Sequence, residues 1–302
     1  MFTRRQFFKL LGRGFLSALT LGTYATAIEA MGRPLIRRHA LTPPRWTSGL
    51  TLKIAALADF HACEPWMSAR RMASICDQAN ALEADIILLL GDYASGMNMV
   101  RSYVHSSDWS RSLARLKAPL GVHAILGNHD WWEDLEAQRR GGGETFCHRA
   151  LRDVGIPVYD NDAVRIEKDG HAFWLAGLAD QVALRPGERF RRNHFGGLDD
   201  LPGTLARITD DAPVILMAHE PDIFPNVPER VSLTLCGHTH GGQVNLFGWT
   251  PVVPSRFKSR YAYGHKVEFN RHVIISGGLG CSILPVRFGV WPEILLVELG
   301  GN

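Results

Sequence analysis

The sequence predicts an α/β fold, and three observations predict it. Short, almost wholly apolar runs recur along the chain and read as strands buried on both faces. A helical period of apolar residues separates the first two of them. Five of the runs end in a polar group or cluster of Asp, Asn or His, and in α/β sheets ligand sites lie beyond the carboxyl ends of strands. The composition agrees: 302 residues, 46% hydrophobic and 21% charged, with 30 Gly and 16 Pro. Such a chain buries a sizeable core and is neither disordered nor fibrous.

In chain order, residues 1–30 read as an address. Arg4-Arg5-Gln6-Phe7-Phe8-Lys9 precedes an apolar stretch from Leu10 to Ala27 that only Arg13 interrupts, and the stretch ends in the small residues Ala25-Thr26-Ala27. This is the plan of a signal peptide or short anchor, and the adjacent arginines resemble a twin-arginine signal read by the export machinery for folded proteins. The expected location is therefore beyond the bacterial inner membrane, either periplasmic or anchored facing the envelope. Residues 31–49 carry three prolines and four arginines without a sustained apolar period. They read as a linker near a membrane surface, or alternatively as an extended edge of the domain. The domain itself is expected over residues 50–302.

Within it, Leu52–Ala58 is a strand ending at Asp59. Ser68 caps a helix whose apolar positions are Met72, Ile75, Cys76, Ala79 and Leu82. Residues 85–90 form a strand ending at Gly91-Asp92, and residues 121–126 one ending at Gly127-Asn128-His129-Asp130. Val214–Ala218 leads to His219, and Val231–Cys236 to Gly237-His238-Thr239-His240. Further strands are expected at 164–166, 173–176, 273–276 and 294–297, with loops at Gly141–Gly143 and Arg185–His194.

The remaining composition excludes several classes. The formal charge is +3, and taking away the four basic residues of the first 27, which contain no acid, brings the body to −1. No polyanion-binding surface is indicated, so nucleic acid is not an expected partner. The five cysteines are odd in number with no CxxC spacing, which argues against a disulfide framework or zinc ribbon and for buried, unpaired thiols. No GxxxxGK[ST] phosphate loop occurs.

The strand-end residues gather into one set: Asp59, His61, Asp92, Asn128, His129, Asp130, His219, His238 and His240. Oxygen and imidazole donors together suit Mn, Fe, Zn, Ni or Co better than Ca or Mg. The series D-x-H, GD, GNHD, H, GHTH over Asp59–His240 resembles the signature of the calcineurin-like metallophosphoesterases. The leader, the stretch GHTHGGQVNLFG and Gly278-Leu-Gly-Cys-Ser-Ile-Leu-Pro-Val-Arg287 resemble the YaeI/YkuE-like phosphodiesterase branch, near enzymes that cleave the pyrophosphate of UDP-2,3-diacylglucosamine.

That resemblance implies a four-layer α/β/β/α sandwich of two mixed sheets with a dinuclear centre at the strand ends. It implies two divalent transition-metal ions, one held by Asp59, His61 and His240 and the other by Asn128, His219 and His238, with Asp92 bridging. It implies a phosphodiesterase or pyrophosphatase that hydrolyses a phosphodiester, lipid-linked as in UDP-diacylglucosamine for some relatives, by a hydroxide shared between the ions. His129 would act outside the metal shells on the scissile phosphate, with Asp130 either orienting or charging its imidazole or capping the helix start at Trp131 onward. The alternatives are a metal-binding envelope protein without catalysis, and a phosphomonoesterase or nucleotide hydrolase on the same fold. Substrate-contacting candidates are Trp131-Trp132, Tyr93–Trp109, Arg185, Arg189, Arg191, Arg192 and Arg256–Tyr263.

Overall fold

The computed structural model describes residues 3–301, so the first two residues of the expected leader lie outside them. Thr3 caps helix α1 (Arg4–Thr23), accepting from the Gln6 amide while the Gln6 side chain returns to the Thr3 amide. No residue of α1 is buried. A π-helical turn, Tyr24–Glu29, then leads onto the body and buries Ala25 and Glu29. Among the described residues no helix is long and apolar enough to cross a membrane.

The body proceeds through β1 (Leu35–Leu41), β2 (Leu52–Leu57), β3 (Cys63–Glu64), α2 (Ala69–Asn80), β4 (Ile86–Leu89), β5 (Ser102–Tyr103), α3 (Ser106–Leu113) and β6 (Val122–Ala124). Three short helices follow: α4 (Asn128–Trp132), α5 (Leu135–Arg140) and α6 (Phe146–Arg152). The second half holds β7 (Asp162–Lys168), β8 (His171–Gly177), α7 (Leu201–Ala206), β9 (Val214–Met217), β10 (Leu233–Cys236), β11 (Gly264–Glu268), β12 (Arg271–Ile275) and β13 (Glu293–Leu299).

Two mixed sheets result, ordered β1-β13-β2-β4-β6 and β11-β12-β10-β9-β8-β7; β3 and β5 form a separate ribbon. The apolar runs explain the stacking. Every residue of β4, β9 and β10 is buried, so these strands have no face to give to water. One face of each sheet meets the other through Ile54, Ala56, Ile86, Leu88, Phe173, Leu175, Ile215, Met217, Leu233 and Leu235. The outer face of the first sheet packs Ala55, Leu57, Ile87 and Leu89 against α2, α3 and α6. The outer face of the second packs Val214, Leu216, Val273 and Ile275 against Leu201, Phe224 and Tyr261. The order is helix, sheet, sheet, helix, as the resemblance implies.

One boundary moves. Residues 31–49 are not a free linker, because β1 pairs parallel with β13 from Leu35 opposite Glu293 to Leu41 opposite Leu299. The extended-edge reading describes them, and the domain begins before residue 50. An edge strand with one solvated side needs no apolar period, and Arg37 and Arg38 point outward beside Glu293 and Glu298. All five cysteines are free and buried.

Candidate metal centre

The carboxyl ends of β2, β4, β6, β9 and β10 converge, and each hands its polar residues to the same crevice. Asp59 and His61 follow β2, Asp92 follows β4, Asn128 opens α4 after β6, His219 follows β9, and His238 and His240 follow β10. Five of these seven take left-handed backbone conformations: Asp59, His61, Asp92, His238 and His240, with φ between 49° and 69°. Non-glycine residues rarely adopt that region, and strain of this kind collects at functional sites. Gly127 is required for space, since a Cβ there would strike Asp92 Oδ1 and the His219 ring. Gly278, at φ 71°, lets the backbone close on the Asp59 carboxylate.

The side-chain atoms lie at the spacing of a shared coordination set. His61 Nε2 is 3.0 Å from His240 Nε2, and His240 Nε2 is 3.5 Å from Asp59 Oδ1. Asp92 Oδ2 sits between the two halves, 3.4 Å from His61 Nε2 and 3.3 Å from His219 Nε2. Asn128 Oδ1 lies 2.8 Å from His238 Nδ1. Behind them, His61 Nδ1 donates to the Ala94 carbonyl at 3.2 Å and His219 Nδ1 to the Leu90 carbonyl at 2.6 Å. The hydrogen-bond network thus assigns a proton to each Nδ1 and turns each Nε2 toward the crevice.

The residues fit a divalent cation on their own chemistry. Asp59 Oδ2 and His219 Nε2 are buried without a hydrogen-bond partner, and two imidazole nitrogens 3.0 Å apart need a proton or a cation between them. Burial pushes the Asp59 carboxyl up to about 7, with His219 opposing and the Asp92 charge reinforcing. Burial pulls His61 down to about 3 and lowers His238 and His240, which favours their neutral, ligating form, whereas at His219 the Asp92 carboxylate overrides burial and raises the imidazole well above its ordinary range. Burial works against the Asp92 carboxylate, but His219, His129 and His61 outweigh it and hold its pKa well below the usual range. Two groups of donors emerge, each with atoms within 4.8 Å of one another: Asp59, His61, Asp92 and His240, and His219, Glu220 and His238.

His129 stands beside this set, its ring 4.9 Å from that of His61. Its Nε2 lies 3.2 Å from Ser282 Oγ, and its Nδ1 is 3.6 Å from Glu133 Oε1. Burial lowers its pKa, but the charges of Asp92, Glu133 and Asp130 more than offset this and raise it. The Asp130 carboxylate accepts from four backbone amides, those of Asp92, Tyr93, Ala94 and Gly127, at 2.8–3.0 Å, and from the Cys147 thiol at 3.4 Å. It therefore ties the Asp92 loop to Gly127 at the start of α4, and its charge is among those that raise His129.

Several contributors escape the strand-end pattern. Glu133 is one turn beyond His129 on α4, a spacing visible in the sequence. Ser282 and Arg287 come from a loop that no apolar run announces. Arg287 is fully buried, donates to the Gly277, Gly280 and Val290 carbonyls, and lies 3.3 Å from His240 Nδ1. Asp180 and Glu220 are buried carboxyls behind His219 and His238. Of the substrate-contacting candidates, Trp131, Tyr93 and Trp109 are core residues. Trp132 adjoins His129 at 5.0 Å, stacks on Phe195 and lies under Arg185. Arg192 is held by Gln138, and Arg256 by Asp222.

A family model described as calcineurin-like phosphoesterase matches residues 52–242. The uncharacterized metallophosphoesterase YkuE of Bacillus subtilis (strain 168) is 28% identical over 98% of this chain and 97% of its own length. Phosphodiesterase YaeI of Escherichia coli (strain K12) is 31% identical, with 82% of each chain aligned. Among solved structures, a dimetal phosphatase from Danio rerio aligns at a TM-score of 0.38 and 14% identity, covering 75% of this chain and 87% of that one.

Proposed function

The chain belongs to the calcineurin-like phosphoesterase family and is a metal-dependent phosphoric ester hydrolase; on that premise we propose that it hydrolyses phosphodiesters at a two-metal centre. In this reading Asp59, His61 and His240 hold one divalent ion, Asn128, His219 and His238 hold the other, and Asp92 bridges them. Mn, Fe, Zn, Ni and Co all suit this donor set. The observation that carries the reading is that Asp92 Oδ2 lies nearly equidistant from His61 Nε2 and His219 Nε2, at 3.4 and 3.3 Å.

When bound, such a pair of ions polarises phosphate oxygens and makes water a nucleophile at neutral pH. The protein's own groups do the rest. His129 is held at the rim by Ser282 and faced by Glu133, and it delivers a proton from Nε2 to the departing oxygen. Asp130 keeps the Asp92 and Asn128 loops in register. Trp132 adjoins His129 and, with Phe195 and Arg185 packed against it, receives the leaving portion of the diester.

A lipid-linked diester, of the UDP-diacylglucosamine kind, is the substrate type favoured by one further feature. Phe247, Trp249, Ile283 and Leu284 are exposed on the loops that flank Ser282, and α1 carries exposed Phe7, Phe8, Phe15 and Leu16. In this reading the Arg4-Arg5 leader directs export through the twin-arginine machinery, and the exposed apolar side chains contact the membrane surface.

The test is hydrolysis by metal-loaded protein of bis(p-nitrophenyl) phosphate, p-nitrophenyl phosphate and an envelope lipid extract, with products identified by mass spectrometry. Faster turnover of the diester, lost in Asp92→Ala together with bound metal, is the expected result. Preference for the monoester would favour the phosphomonoesterase alternative, and metal binding without turnover would favour the non-catalytic one.

A further inference from the structure

We propose that Glu220 lends its Oε1 as an additional oxygen donor to the divalent cation held by His219 and His238, which makes this half of the centre richer in carboxylate than the strand-end signature implies. The inference rests on the two-metal reading above and deepens it.

Glu220 directly follows His219 beyond β9 and is 3% exposed. Its two oxygens have different surroundings. Oε2 accepts from the Gln181 amide at 3.1 Å and from Gln181 Nε2 at 3.3 Å, and the same Nε2 donates to the Glu220 carbonyl at 2.7 Å. That clamp fixes the direction of the carboxylate. Oε1 has no hydrogen-bond partner and points to the centre, 3.9 Å from His238 Nδ1. The same His238 nitrogen meets Asn128 Oδ1. One donor atom each from His219, Glu220 and His238 lies within 4.8 Å of the others.

A buried carboxylate is costly unless something positive meets its charge. Among the described residues no Lys or Arg is hydrogen-bonded to Glu220; its neighbours on the far side are Gln181 and the buried carboxyl of Asp180, which burial and Glu220 hold well above the usual carboxylate range. A divalent cation at the His219–His238 position would lie within reach of Oε1 and meet that charge. An added oxygen donor also shifts an imidazole-rich site toward Mn²⁺ relative to Zn²⁺.

The experiment titrates chelator-stripped full-length protein with MnCl₂ and with ZnCl₂ by calorimetry, with metal content checked after dialysis. Glu220→Gln keeps the side-chain length and an amide oxygen for the Gln181 clamp, but replaces the inward oxygen. It is expected to retain one tight Mn²⁺ and to raise the Kd of the second by about 10–100-fold, with a smaller change for Zn²⁺ and an unaltered circular dichroism spectrum. Glu220→Asp, which keeps the charge at shorter reach, is expected to fall between. Two Mn²⁺ bound by folded Glu220→Gln at wild-type affinity overturns the proposal. If that variant fails to fold, Glu220→Asp decides: a raised second Kd supports the role and an unchanged one overturns it. Fewer than two ions in the wild type would contradict the two-metal reading itself, a result separable from any behaviour of the variants.

Discussion

At the scale of single residues, the proposed mechanism separates groups that would hold cations from groups that would transfer protons or position loops, and His129 and Asp130 differ in role though adjacent in sequence. His129 offers Nε2 at the rim, whereas Asp130 offers nothing to the crevice. His129→Ala is expected to keep both ions and the fold while losing about 10²–10⁴-fold in kcat on an alkyl phosphodiester, the range of general acid–base assistance. The loss should shrink on an aryl diester, whose leaving oxygen needs no proton; an equal loss on both substrates, measured side by side, would replace proton transfer by electrostatic stabilisation. Asp130→Ala leaves four buried amides unpaired, and should cost about 3–5 kcal/mol in denaturant unfolding. Asp130→Asn, which keeps an acceptor, should cost less. A wild-type unfolding midpoint for Asp130→Ala would remove its role as the tie between the two loops.

At the scale of elements, what the sequence discloses depends on how local the cause is. The strands β2, β4, β9 and β10 are legible because burial on both faces leaves continuous apolar runs, and their ends are legible because the run stops at Asp59, Gly91, His219 and Gly237. The α2 helix is legible from Ser68 and the spacing of Met72, Ile75, Cys76 and Ala79, all confirmed as its cap and buried face. The edge strand β1 leaves no such trace, because its partners in β13 lie about 250 residues away in the chain and its outer face is charged. Asp130 is illegible for the same reason, since three of its four amide donors lie 36–38 residues earlier. Ser282, Arg287 and Glu220 act from loops whose position only the closed fold determines.

The leader can be tested as an element. Arg4→Lys with Arg5→Lys preserves charge and hydrophobicity and removes only the paired guanidinium groups. Folded precursor should accumulate in the cytoplasm, as followed by fractionation. Export at the normal rate would instead assign the leader to the general secretory route.

At the scale of the whole molecule, two sheets press their apolar faces together and release all their polar strand ends on one side. The fold thereby concentrates Asp59, Asp92, Glu220 and Asp180 with five histidines in a region that water barely reaches, an arrangement that suits divalent cations. Metal removal should accordingly lower the thermal midpoint, and restoring metal should raise it in proportion to RT ln(1 + [M]/Kd). Differential scanning calorimetry of stripped and reloaded protein reads this, and equal midpoints would argue that the centre closes without cations. The central claim is that two ions share the Asp92 carboxylate and act together on a phosphodiester. Its most direct measurement is stepwise reconstitution of stripped protein with MnCl₂, recording bound metal and bis(p-nitrophenyl) phosphate hydrolysis in the same samples. The account predicts saturation at two equivalents, with activity arising as the second ion binds. Full activity at one equivalent, or hydrolysis by the stripped protein, would contradict it.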